Sequence, residues 1–148
     1  ADAPSVIAGF VICNDVSVRD WQMRSPTMTL GKSFNTHGPF GPWLVTPDEI
    51  KDPHNLPLRM YVNGELRQEA NTSEMIYNIW QQIAYLSTVM TLEPGDLIFT
   101  GTPPGVGMGV KKDGKPAPVF LKKGDVMHLG IEGLGEQTQK VVAYKRKA

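Results

Sequence analysis

The sequence predicts a mainly β fold with one principal helix, an α+β chain in which short strands outnumber helical segments. Three observations carry this. Asn63-Gly64 sits between two alternating runs, and that dipeptide best tolerates the positive φ values of a type I′ hairpin turn. One stretch alone repeats apolar residues at helical spacing, through Ile76, Ile79, Trp80, Ile83, Leu86 and Met90. Elsewhere short apolar runs are cut off by turn formers, without the regular strand–helix alternation of a doubly wound sheet.

Taken in order, residues 6–13 read as a buried strand, β-branched and stopped by Asn14-Asp15, and residues 17–22 can form a helical turn or two. Residues 31–53 turn to Gly, Pro, Asn and Thr around the apolar islands Phe34 and Trp43-Leu44-Val45, the pattern of a long ordered loop, which in compact domains is usually functional. Residues 58–62 and 65–68 flank Asn63-Gly64 as a hairpin. The helix is expected over residues 72–90, capped by Asn71 with Glu74 three positions on, and its apolar stripe is expected to be core. A strand at 97–100, a Gly/Pro loop at 101–109, a polar excursion at 111–118 and further strands at 126–129 and 140–144 complete the chain.

The 148 residues fall in the range of one domain, and 41% hydrophobic with 20% charged residues excludes the composition of disorder. Fifteen basic residues balance fifteen acidic ones, so no net field draws the chain to nucleic acid or to an anionic membrane. The basic Lys145-Arg146-Lys147 is read as a solvated tail. No apolar stretch reaches the roughly 18 residues of a membrane span and no signal peptide opens the chain, which predicts a cytoplasmic protein. The single cysteine, Cys13, excludes an internal disulfide framework and reads as a structural thiol. The chain starts Ala1-Asp2-Ala3-Pro4, without Met, and runs at once into the first strand, so an upstream segment is expected.

Four places carry chemistry. Asp15 lies at a strand end, with Arg19 four positions on and Gln22 three beyond that, spacings that align side chains on one helical face. Such a carboxylate suits Mg²⁺, which takes one or two protein carboxylates; a capping Asp paired with Arg19 explains the same spacing. Lys32, in Gly31-Lys32-Ser33, is no P-loop lysine, because Pro26 stands where that motif needs glycine. It reads either as a group that polarises a carbonyl or binds a carboxylate, or as a surface lysine. In Thr100-Gly101-Thr102-Pro103-Pro104-Gly105-Val106-Gly107 small residues let backbone N–H groups and the Thr102 hydroxyl approach an anion, or simply make a turn. Gly105, Gly107 and Gly109 lack the dinucleotide-binding spacing. His37, His54 and His128 show no paired ligand spacing, and no GxSxG elbow occurs, which argues against zinc and a serine triad.

In order along the chain, Asn14-Asp15-Val16-Ser17-Val18-Arg19-Asp20-Trp21-Gln22, Gly31-Lys32-Ser33-Phe34-Asn35-Thr36, Gly41-Pro42-Trp43-Leu44-Val45-Thr46, Val62-Asn63-Gly64-Glu65, Leu92-Glu93-Pro94-Gly95-Asp96 and Thr100-Gly101-Thr102-Pro103-Pro104-Gly105-Val106-Gly107 resemble the signature blocks of the fumarylacetoacetate hydrolase family. The resemblance implies a mixed β-roll, a homodimer, and Mg²⁺ or Mn²⁺, with Ca²⁺ as a further candidate, bound at the open face. It implies Asp15 as a metal ligand and Arg19, Gln22, Lys32, Gly101 and Thr102 as lining the site of a small 2-oxo acid. Lys32, Arg19 and Gln22 are the implied catalytic groups, and Thr102, Gly101 and Lys32 the substrate-binding ones. The implied reactions are hydrolysis of an acylpyruvate, decarboxylation of oxaloacetate, or isomerisation. The family's upstream Glu-x-Glu pair and lid His and Glu are not found, so residues 1–148 are expected to be a partial catalytic domain whose remaining ligands come from a missing segment or a second chain, or else a non-catalytic fragment.

Overall fold

Asn63 and Gly64 take φ values of 53° and 81°, the two left-handed conformations that a type I′ turn requires. The computed structural model describes residues 2–144, so the tail at 145–147 lies outside the described residues. Around that turn β3 (Pro57–Val62) and β4 (Glu65–Asn71) form the expected hairpin, with a bulge between Met60 and Tyr61.

The hairpin is half of a four-stranded antiparallel sheet in the order β4-β3-β7-β8, where β7 is Val126–Ile131 and β8 is Gly135–Lys140. The last strand therefore lies upstream of the expected 140–144. Its Gly-Glu-Gln-Thr-Gln-Lys sequence is polar at every side chain, so no hydrophobic alternation announces it, yet Gln137 is buried.

The first strand is shorter than expected: β1 is Phe10–Cys13, and Ala3–Val6 forms a 3-10 turn before it. Its partner, β2 (Phe40–Val45), lies inside the stretch read as loop. Gly41 and Pro42 hide it, since both residue types are depleted in strands and Pro has no N–H for a ladder. Ile12, Val45, Ile50, Leu129 and Leu134 make the core, with Phe10, Leu56, Met60 and Ile131 packed on it, so the two sheets share one apolar interior.

The helical stretch divides. Asn71 and Glu74 form the expected reciprocal cap, but over a 3-10 turn, Thr72–Glu74. Met75 is then extended, and a second cap of Asn78 with Gln81 starts the α-helix Ile79–Leu86. Between them Ile76 stands 92% exposed, and of the stripe only Ile83 is buried. Residues 97–100 join no strand ladder among the described residues. The polar excursion contains a small hairpin, β5 (Lys111–Lys112) with β6 (Lys115–Pro116). The fold is mainly β with one principal helix, all its ladders antiparallel, and no helix among the described residues is long and apolar enough to cross a membrane.

Candidate functional site

The ladder of β1 stops at Cys13, and the chain turns at Asn14, whose N–H donates to the Pro39 carbonyl at 2.9 Å. The next residue, Asp15, projects its carboxylate to Lys32, whose Nζ donates to Asp15 Oδ2. The two side chains are 41% and 33% exposed, so the pair opens onto solvent and adds little to stability, typically about 0–1 kcal/mol for surface pairs. Asp15 does not pair with Arg19 or cap the short helix α1 (Arg19–Gln22), whose N-cap is Val18 without a side-chain bond. The capping reading of the spacing is excluded.

Lys32 reaches Asp15 because its loop lies against α1. A 3-10 turn, Thr29–Gly31, leads into it, and the Val18 N–H donates to the Gly31 carbonyl at 2.9 Å. A Cβ on Gly31 would stand 2.4 Å from Gln22 Cβ, so only glycine permits this approach. Trp21 meets Phe34 edge-on at 5.6 Å, Arg24 lies 4.1 Å over the Trp21 ring, and His37 Nδ1 bonds the Val16 carbonyl at 3.1 Å, bracing helix and loop together. On the same helix Arg19 donates through Nη1 to Gln22 Oε1, and its Nε is buried with no partner among the described residues. An unsatisfied buried N–H costs about 1–3 kcal/mol, more on a charged group, and calls for an acceptor.

Thr102 is held elsewhere. Gln68, on β4, donates through Nε2 to Thr102 Oγ1 at 3.0 Å and to the Pro103 carbonyl at 2.8 Å. Gly105, at φ +108°, seats the same loop so tightly on β4 that a Cβ there would lie 1.9 Å from the Arg67 carbonyl oxygen. Gly101, at φ +109°, faces open space. Asp15, Arg19, Gln22, Lys32, Gly101 and Thr102 all line one trough of about 2470 Å³, against the roughly 300–1,000 Å³ of a closed small-molecule pocket. Within it the structure joins Asp15 to Lys32 and Arg19 to Gln22, whereas no hydrogen bond links Thr102 to either pair. Gln68 escapes sequence reasoning, because a Gln in an alternating strand carries no local mark of what it holds.

Among the described residues no three His, Cys, Asp or Glu side chains converge as metal ligands. Asp15 offers one hard oxygen donor, and its neighbour is an ammonium rather than a second carboxylate, so these residues alone do not make a divalent-cation site. His54 accepts from the Ile79 N–H at 3.1 Å and supports the start of the α-helix Ile79–Leu86, here α2. Burial pushes the Cys13 thiol above its usual range, the direction of a structural rather than a nucleophilic cysteine.

Residues 1–142 match the family model described as fumarylacetoacetate (FAA) hydrolase C-terminal. A Burkholderia cenocepacia (strain HI2424) protein, provisionally named as a hydrolase, is 55% identical over 141 residues, covering 95% of this chain and 49% of the relative. The chain thus spans about half the length of the curated relatives it matches. Among solved structures, fumarylacetoacetate hydrolase from Exiguobacterium antarcticum matches with TM-score 0.86 and 40% identity over 97% of this chain and 50% of that one. The 2-hydroxyhepta-2,4-diene-1,7-dioate isomerase of Mycobacterium marinum matches at 0.80 and 42%, over 95% and 50%. Maleylpyruvate hydrolase from Sphingobium sp. SYK-6, solved with manganese(II) and pyruvate, matches at 0.77 and 36%, over 95% and 46%. With nearly every described residue inside that match and TM-scores of 0.77 to 0.86 to these enzymes, the chain belongs to the fumarylacetoacetate hydrolase family.

Proposed function

We propose that the protein carrying this chain is a divalent-metal-dependent hydrolase that cleaves a C–C bond in a small 2-oxo acid, an acylpyruvate or a related β-diketo acid. The single observation that supports this most is the Asp15–Lys32 pair at the end of β1, with the unsatisfied Nε of Arg19 in the same trough. Family membership and a relative solved with manganese(II) and pyruvate support the reaction class.

In this reading Asp15 gives one ligand to Mg²⁺ or Mn²⁺, with Ca²⁺ a weaker candidate. The other ligands come from polypeptide outside the described residues, in the same protein or in a second copy within a homodimer. A cation held there would supply Lewis-acid polarisation of a carbonyl. Lys32 holds the negative charge that develops on the enolate oxygen when the C–C bond breaks, a preorganised charge where charge appears. Arg19, oriented by Gln22, takes the substrate carboxylate in a charge-assisted bond, and Thr102 with the Gly101 backbone binds the far end. Water enters at the acyl carbon, the acyl group leaves as its acid, and the enolate takes a proton to become the 2-oxo acid.

A second reading, isomerisation without bond cleavage, is favoured by the 42% identity to the M. marinum isomerase. The complete protein is to be assayed with an acylpyruvate and with 2-hydroxyhepta-2,4-diene-1,7-dioate, in Mg²⁺ or Mn²⁺ and in excess chelator. Hydrolysis yields two smaller acids, whereas isomerisation shifts the spectrum and gives one product of unchanged mass. Turnover is expected to vanish in chelator and to fall at least about 100-fold in Lys32→Met, the loss of one charge-stabilising donor. Unchanged turnover in chelator overturns the metal-dependent reading.

A further inference from the structure

Three amide side chains run in a line from the interior to the residue before Asp15. Gln137, 8% exposed on β8, donates through Nε2 to the carbonyls of Ile12 and Gly41, both at 2.6 Å. Ile12 and Gly41 are register partners of β1 and β2, so this one side chain clamps the small sheet onto the large one. Gln137 Oε1 accepts from Gln139 Nε2 at 2.6 Å, and Gln139 Oε1 accepts from Asn14 Nδ2 at 3.0 Å. Asn14 is 9% exposed, and its Nδ2 also faces Met127 Sδ at 3.5 Å.

The line has one permitted direction. Carbonyl oxygens only accept, so the Gln137 amino group must face Ile12 and Gly41; reversed, its oxygen would meet two others at 2.6 Å. Gln139 is then forced to donate to Gln137 and to accept from Asn14, and Asn14 is forced to donate. Polarity set in the core is passed from amide to amide to the position where the β1 ladder has ended and Asp15 begins. Gln137 has a structural reason in the two carbonyls it satisfies, but apolar side chains would fill the rest of this space without desolvating two further amides, so packing gives no reason for extending the line to Asn14.

We propose that Asn14, Gln139 and Gln137 are positioning residues that fix the direction of the Asp15 carboxylate toward Lys32. This rests on the reading of Asp15 and Lys32 as the reactive site and adds the part of the fold that aims them. None of the three touches the Asp15–Lys32 pair through its side chain; they act through the Asn14 backbone.

The test uses Gln139→Met and Gln139→Glu in the complete protein. Met keeps the volume and removes both bonds. Glu keeps the acceptor for Asn14, but donates to Gln137 only while its carboxyl is protonated, so its behaviour follows pH. Two readouts are needed: the ¹³C carboxyl signal of Asp15 by NMR, and Mn²⁺ affinity by calorimetry. Gln139→Met is expected to displace the Asp15 signal and weaken Mn²⁺ about 10–100-fold, the usual effect of losing a partner that orients a ligand. Gln139→Glu is expected to match wild type at low pH and to depart from it as pH rises and the bond to Gln137 is lost, by less than the Met variant because the acceptor for Asn14 remains, a profile that loss of packing would not produce. An Asp15 signal and a Mn²⁺ affinity unchanged in both variants would overturn the proposal; if Gln139→Met does not fold, a flat pH profile in Gln139→Glu overturns it. If wild type binds no Mn²⁺, the functional reading fails, whereas the Asp15 signal still decides the positioning claim.

Discussion

The four-stranded sheet and the stretch from residue 72 to residue 121 are built from comparably apolar sequence, yet they meet different fates. In the sheet every strand finds a neighbour, and Met127 and Leu129 on β7, with Leu134 in the turn that leads to β8, are all at most 8% exposed. In the other stretch Ile76, Tyr85, Val89, Leu97, Phe99 and Phe120 remain 44–92% exposed, and residues 97–100 have no ladder among the described residues. The difference lies not in local propensity but in whether a partner surface exists within the described residues. A hydrophobic pattern states that a face is to be covered, and only the rest of the chain states by what.

The largest effect that sharpens this contrast is a pair of truncations. Ile12→Ala, in a site 1% exposed, is expected to cost about 2–5 kcal/mol in denaturant unfolding. Ile76→Ala, at 92% exposure, is expected to stay within about 0.5 kcal/mol of wild type. An equal cost at both positions in residues 1–148 would break the comparison, because it would mean that Ile76 is covered within this chain itself.

A smaller effect comes from the cap. Asn78 accepts from the Gln81 N–H at 2.9 Å while Gln81 returns to the Asn78 N–H, so Asn78→Ala is expected to cost about 1 kcal/mol and to increase amide exchange in Ile79–Leu86. If exchange rises equally in β7, the helix is not the separate, weakly covered unit that the contrast requires.

The smallest effect belongs to the sheet and is read by pH. Asn63 donates to Asp125 Oδ1 at 2.9 Å and the Lys122 N–H donates to Oδ2 at 2.7 Å; these two bonds, Asn63 first, hold the Asp125 carboxyl below its usual range. A folded-state value below the unfolded one contributes stability above the unfolded pKa of about 4 and loses it as pH falls through the folded value. The drop in Tm from neutral pH to about pH 3 should therefore be smaller in Asp125→Asn than in wild type. An identical drop would show that the turn before β7 does not contribute to acid stability.

What the sequence disclosed follows the same division. The hairpin at Asn63-Gly64 was legible because its signal is complete within a few residues. The juxtaposition of Lys32 with Asp15 is not spaced into the sequence; it comes through ordered blocks of family resemblance, while spacing alone favours a capping Asp15 paired with Arg19. Strand β2 was hidden by Gly41 and Pro42, and β8 by being polar throughout. Gln137 shows why β8 escapes: its value lies in two carbonyls more than ninety positions away, Gly41 and Ile12. The helix was over-extended because two capping signals, Asn71 with Glu74 and Asn78 with Gln81, lie within one apolar repeat, and periodicity does not reveal which of them begins the helix.

Gly105 extends this dependence to a residue without a side chain. Any side chain there would lift the 101–109 loop from β4 and carry the Thr102 hydroxyl away from Gln68. The seat of that loop along the trough is then set by a residue with no functional group at all. Differences in the shape of such a trough are accordingly to be sought in how that loop seats on its strand as much as in the side chains that line it.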